Sequence, residues 1–263
     1  MNGTTTVQLA EKTAKAVTGS VEEWTGFLQS AARLYKYSYP EQLLIYAQRP
    51  DATACASYEI WNQTMRRYVR RGARGIALPD GAGAVRYVFD VADTGARKSS
   101  REVKTWALDE NNREAVAHAL ETQYGSAAKL GIAGQLEEIA MQQSMDYWQW
   151  HQDELRGIVD GSFLEGYDEL NLEIAFRNTA AASVKYMLLS RCNLAREYQI
   201  EPEKLAGVLE WNTSAASGAL GSAVSELSEG VLRQIERTIR QYERSQIHDE
   251  RTDVYEERRV LDS

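Results

Sequence analysis

Cysteine, proline and histidine are scarce in this chain, and each scarcity removes a class of protein. Cys55 and Cys192 are the only two cysteines and lie far apart. Two isolated thiols make neither a disulfide framework nor a zinc ligand set, so reduced thiols are expected. Four prolines and 18 glycines in 263 residues are too few for a long disordered body. His118, His151 and His248 are scattered, with no partner at ligand or catalytic spacing. There is no His-Glu-x-x-His and no Walker lysine loop, and Gly81-Ala82-Gly83 lacks the third glycine of a dinucleotide fingerprint. No cofactor and no resident metal is expected. A bilayer-spanning helix needs about 20 consecutive apolar residues, and the chain has no such run. The start, Met1-Asn2-Gly3-Thr4, lacks the basic and apolar regions of a signal peptide. A cytoplasmic protein without membrane association is therefore expected.

The chain does hold enough apolar material for a core: 43 % of residues are hydrophobic and 26 % charged. Ser20-Val21-Glu22-Glu23 has the form of a capping box, in which a hydroxyl and a carboxylate three residues on satisfy free backbone amides. Trp24, Phe27, Leu28, Ala31 and Leu34 then recur at helical spacing. Pro40 suits the first turn of a second helix, striped by Leu43, Leu44, Tyr46 and Ala47, which should stop before Pro50. Tyr68 and Val69 favour extended structure. Ile76–Leu78 and Val85–Val91 flank a Pro/Asp/Gly turn and predict a hairpin. From about Asp109 the pattern is helical and acidic, with helices expected over 111–124, 133–159, 165–192, 201–209 and 215–245. Val224, Leu227, Val231, Ile235, Ile239 and Tyr242 form one face of the last. This reads as α+β: a small N-terminal α+β module with a short antiparallel sheet over 1–105, a mainly helical module over 106–246, and a polar tail or linker over 247–263.

Charge divides the molecule along the same line. Five arginines, Arg66, Arg67, Arg70, Arg71 and Arg74, fall within nine residues. Between Trp61 and Lys104 ten basic residues stand against four acids, a local charge of +6 that leaves −14 for the rest of a chain of net charge −8. A positive segment on a negative protein focuses a field on an anionic partner. Trp61 and Tyr68 lie among these arginines, and guanidinium groups interleaved with aromatic rings suit a nucleic-acid strand. The competing reading is that the arginines pair with the protein's own acidic helices, or coat an edge strand against aggregation.

Two other patterns invite chemistry. Pro79-Asp80 followed by Glu102-Val103-Lys104 has the spare signature of a Mg²⁺-dependent nuclease, in which two carboxylates hold the metal and a lysine helps activate water. Asp80, however, falls in a Gly-rich turn, where a hairpin turn is the plainer reading. Asp90 and Asp93 could form a carboxylate pair, although ending a strand suits them better. In Tyr147-Trp148-Gln149-Trp150 the two tryptophans point to different sides of a helix, so at least one could face a partner, although packing between domains is the plainer reading.

Several segments resemble the N-terminal domain of ArdC-like antirestriction proteins. They are closer still to the first domain of the very large helicase and methyltransferase proteins carried by conjugative elements of Gram-positive gut bacteria. The stretches that carry the likeness are Glu23-Trp24-x-x-Phe27-Leu28, Tyr39 to Thr53, Ala56-x-Tyr58-Glu59-Ile60-Trp61, Arg66 to Ala77, and Tyr87-Val88-Phe89-Asp90-Val91-x-Asp93-Thr94. Gly157 to Leu164 and Ala175-Phe176-Arg177-Asn178 resemble the helical continuation in the large proteins. The resemblance implies a single-stranded DNA-binding α+β domain that guards incoming DNA or presents it to a larger enzyme. The metalloprotease-like domain of ArdC proteins, and the helicase and methyltransferase motifs, have no counterpart here, and those activities do not transfer.

The expectation is non-catalytic binding of single-stranded DNA by Trp61, Arg66, Arg67, Tyr68, Arg70, Arg71 and Arg74, in mobile-element transfer or anti-defence. Two alternatives stay open. One is an inhibitor whose acidic helical surface occupies a host restriction or CRISPR nuclease. The other is the Mg²⁺ nuclease.

Overall fold

A computed structural model describes residues 3–81, 83–195 and 202–261, with side chains described up to residue 246 and not for Pro202. It shows a small N-terminal α+β region with a short antiparallel sheet, followed by a mainly helical module.

Three helices open the chain: α1 (Gly3–Val17), α2 (Val21–Arg33) and α3 (Tyr39–Gln48). Ser20 caps α2 as expected, its Oγ accepting the Glu23 N–H at 3.2 Å. Ser38 and Glu41 form a second capping box at α3, with Pro40 in its first turn. Gln42, polar and buried, donates from Nε2 to the Tyr37 carbonyl at 2.9 Å and so pins the α2–α3 loop.

The strands follow: β1 (Cys55–Ser57), β2 (Tyr68–Val69), β3 (Ile76–Pro79), β4 (Val85–Asp90) and β5 (Thr94–Gly95). The expected hairpin is β3–β4, paired Ile76↔Val88 to Pro79↔Val85, and β1 adds to the far side of β4. One face of this sheet buries Ile76, Leu78 and Val88 against Leu34, Leu44 and Ile45 in a small core of its own. The outer edge of β3 is not left open. The Gln48 side-chain amide donates to the Ala77 carbonyl and accepts the Ala77 N–H, both at 3.0 Å, as a neighbouring strand would.

The helical module comprises α4 (Arg113–Tyr124), α5 (Gly131–Gly157), α6 (Glu169–Arg191), a 3₁₀ segment (Pro202–Glu210) and α7 (Ser214–Leu261). α6 starts four residues later than the periodicity suggests because Asp168 is its N-cap, accepting the Asn171 N–H at 2.8 Å. The backbone of α7 stays helical to Leu261, through the stretch expected to be a polar tail. Val224, Val231, Ile235 and Ile239 are buried, as their shared face requires. Trp148 is also buried, its ring 5.8 Å from that of Phe176, whereas Trp150 is 85 % exposed.

The compositional division near residue 105 is not a gap in space. The main core joins Trp24, Phe27 and Leu28 of α2 to Phe176, Val184 and Leu188 of α6 and to Trp211 and Val231. Trp24 Nε1 donates to Ser183 Oγ at 2.9 Å. A polar lock closes the same junction. Tyr35 donates to Glu236 at 2.5 Å, Lys36 and Arg240 reach the same carboxylate, and Trp106 Nε1 donates to the Tyr35 hydroxyl at 3.0 Å. Burial opposes ionisation of Glu236, but the hydrogen bonds from Lys36, Tyr35 and Arg240 outweigh it and bring its pKa down to about 2. Arg191 covers the Trp106 ring, its guanidinium 3.4 Å from the centroid.

Candidate nucleic-acid interface

The arginine segment leaves the sheet through a π-helical turn, Ile60–Thr64, and returns through β2 and a tight turn to β3. Trp61 anchors the exit. It is 2 % exposed, and its Nε1 donates to the Phe89 carbonyl at 2.8 Å. Its ring is therefore enclosed and its one polar atom is used by the fold. The expectation that Trp61 offers a stacking surface is corrected on that ground: it holds the segment against β4. Arg66 closes the π turn in the left-handed conformation (φ 54°), and the Arg67 N–H reaches back to the Trp61 carbonyl at 2.8 Å.

β2 then pairs with β5 in a two-stranded ribbon, Tyr68↔Gly95 and Val69↔Thr94. Gly95 lets the Tyr68 ring lie directly across its backbone, where a Cβ would push the ring aside. The Ala73 N–H bonds the Arg70 carbonyl at 3.1 Å with Gly72 at φ 85°, the geometry of a type II turn. Arg70, Arg71 and Arg74 are exposed on and beside that turn.

What the five guanidinium groups touch decides whether they are free. Arg67 Nε donates to Thr94 Oγ1 at 2.8 Å, and Arg70 Nη1 reaches the Ala92 carbonyl at 3.3 Å. Among the described residues, none of the five forms an ion pair with a carboxylate. The nearby acids are committed elsewhere. Asp93 pairs with Arg49, and Asp90 is buried, accepting the N–H groups of Thr53 (2.6 Å), Ala54 (3.0 Å) and Ala92 (2.9 Å). Asp90 and Asp93 thus end the strand and brace the loop before β1.

The fold also brings in residues that sequence reasoning counted but did not place at the site. Ser100 Oγ donates to the Arg66 carbonyl at 2.7 Å, and the Arg101 N–H to the Met65 carbonyl at 2.9 Å. Residues 97–101 therefore lie along the π turn, and Arg97, Lys98 and Arg101 are exposed beside Arg66. The Arg97 guanidinium sits 5.8 Å from the centroid of Tyr68, whose ring is 43 % exposed. Their only signal in the sequence was the charge excess itself.

The alternative chemistry has less behind it. Asp80 lies in the β3–β4 turn, its N–H bonded to the Ala84 carbonyl at 3.0 Å, and Lys104 lies 3.8 Å from Glu102 on an exposed segment. Among the described residues no three His, Cys, Asp or Glu side chains gather as a metal site. Burial, reinforced by Asp90, pushes the Cys55 thiol up to about 12, away from the reactive thiolate form. Among the described residues no helix is long and apolar enough to cross a membrane.

Compared with known proteins, the chain matches no family model, no curated protein and no solved structure.

Proposed function

We propose that this chain binds single-stranded DNA without catalysis, through Arg66, Arg67, Arg70, Arg71 and Arg74 joined by Arg97, Lys98 and Arg101, with Tyr68 as a stacking ring. The observation that carries the reading is that, among the described residues, none of the five arginines pairs with a carboxylate in a chain of net charge −8. Unpaired guanidinium groups keep their full attraction for phosphate, and each phosphate neutralised releases counterions. Tyr68 adds a ring on which a base can stack, or can stack on the Arg97 guanidinium. The resemblance to ArdC-like and conjugative-element proteins supports a role in protecting or handling transferred DNA.

The test is fluorescence anisotropy of a labelled oligothymidylate at several salt concentrations. Affinity should fall steeply as salt rises, and Arg70→Ala with Arg71→Ala should weaken binding about tenfold or more while flattening the salt dependence. Unchanged affinity in the double variant removes the arginine site from the reading.

A second reading, inhibition of a host nuclease through the acidic helical surface, is favoured by the exposed Trp150 and Phe163 of the helical module. Such an inhibitor would co-purify with a nuclease, and Trp150→Ala would release it.

A further inference from the structure

The sheet β1-β4-β3 has a second face, and the DNA-binding reading did not use it. One face is closed by the small core of Leu34, Leu44, Ile45, Ile76, Leu78 and Val88. The alternation of β4 puts Tyr87 and Phe89 on the other. Tyr87 pairs with Ala77 and Phe89 with Ala56, so two small residues stand beside two rings. Tyr87 is 47 % exposed and Phe89 is half-buried. Tyr58, also about half exposed, follows β1 by one residue, where the chain turns from strand into helix.

This face adjoins the arginine ribbon through a single residue. A Cβ added at Gly75 would lie 3.0 Å from Tyr87 Cδ1 and 3.2 Å from Phe89 Cζ. Both rings therefore rest against the backbone of Gly75, next in the chain to the exposed Arg74. Arg70 and Arg71 precede it on the type II turn, all three exposed. A partner that crosses from ribbon to sheet meets concentrated positive charge and then flat, partly exposed rings set among small side chains. A single-stranded nucleic acid alternates the matching features, phosphates and unpaired base faces. A duplex offers no free base face to such rings, and an apolar protein surface gains nothing from the arginines alongside.

We infer that Tyr87 is a second base-stacking platform, so that a bound single strand runs from Tyr68 along the arginine turn and onto the second face of the sheet. The inference rests on the DNA-binding reading and extends its footprint.

The experiment titrates labelled oligothymidylate against the full chain and against Tyr87→Ala, Tyr87→Phe and Arg70→Ala/Arg71→Ala, at several salt concentrations, with thermal melts to verify folding. Tyr87→Ala should weaken binding about tenfold at every salt concentration, leaving the slope against salt unchanged, because a stacked ring carries no charge. Tyr87→Phe should restore affinity, since the face of the ring is kept. The arginine variant should change the slope as well as the affinity. In parallel, an oligonucleotide bearing iododeoxyuridine should crosslink under long-wavelength light to Tyr87, located by peptide mass. Full affinity in Tyr87→Ala, or crosslinks confined to Tyr68, overturns the platform while the arginine site stands. Failure of the unaltered chain to bind the oligonucleotide overturns the DNA-binding reading and the platform with it.

Discussion

Arginine has two different lives in this molecule. In the helical module, Arg177, Arg233 and Arg240 each pair with a glutamate one helical turn earlier, at 2.7, 2.6 and 2.8 Å, and Arg156 pairs with Glu169. In the ribbon, five arginines meet no carboxylate among the described residues. Local geometry accounts for much of the difference. On a helix a residue four positions away is a neighbour, so an acid placed there answers the base. In a two-residue strand and a tight turn no such periodic neighbour exists, and the acids nearest in space are already taken by Arg49 and by backbone amides. Helical charge contributes to the fold. Ribbon charge has no such internal partner among the described residues, as the proposed DNA contact requires.

That contrast can be broken by asking what each region does when damaged. The largest effect should come from Trp24→Ala, which empties the junction between α2 and α6 and should cost about 3–5 kcal/mol in urea denaturation. Binding of oligothymidylate per folded molecule should be unchanged. Glu236→Gln comes next. It weakens the acceptor shared by Tyr35, Lys36 and Arg240, and should cost about 2–3 kcal/mol by the same measurement. Its pH signature follows from the lowered pKa. A carboxylate shifted from the usual 4.5 to about 2 stabilises the fold fully above 4.5, and that contribution is lost as pH falls toward 2. The variant should lack this part of the acid loss, so melts across that window should separate the two proteins. Gln48→Ala removes the cap on the β3 edge and should cost about 1–2 kcal/mol, with a rise in self-association seen by light scattering. The double replacement of Arg70 and Arg71 by Ala should change stability least, by about 0.5 kcal/mol or less, while changing DNA affinity most. A large stability loss in that variant would mean that the ribbon arginines serve the fold after all.

The helices were legible because burial imposes a period. Trp24, Phe27 and Leu28, and later Val231, Ile235 and Ile239, sit where a 3.6-residue repeat puts them. The β3–β4 hairpin was equally plain from its turn residues. The start of α6 was missed because a single aspartate, Asp168, sets it against the pull of the apolar pattern. The pairing of β2 with β5 could not be read at all, since two-residue strands carry no alternation. For that reason Arg97 and Arg101 stayed outside the site, although the charge count had included them. Trp61 failed for a different reason. An aromatic residue among arginines looks the same in sequence whether its ring faces water or supports a strand. The hydrogen bond to Phe89 that assigns it to the interior is a long-range event.

Arg66 carries one further consequence. Outside glycine, a left-handed backbone costs on the order of 1 kcal/mol, and glycine at this point would fold with less strain. A sequence tuned for durability alone has no reason to place a long cation there. The turn is thus slightly less durable and carries one more positive charge on the most basic stretch of the chain; if the proposed DNA contact holds, Arg66→Gly should give a hardier protein that binds more weakly.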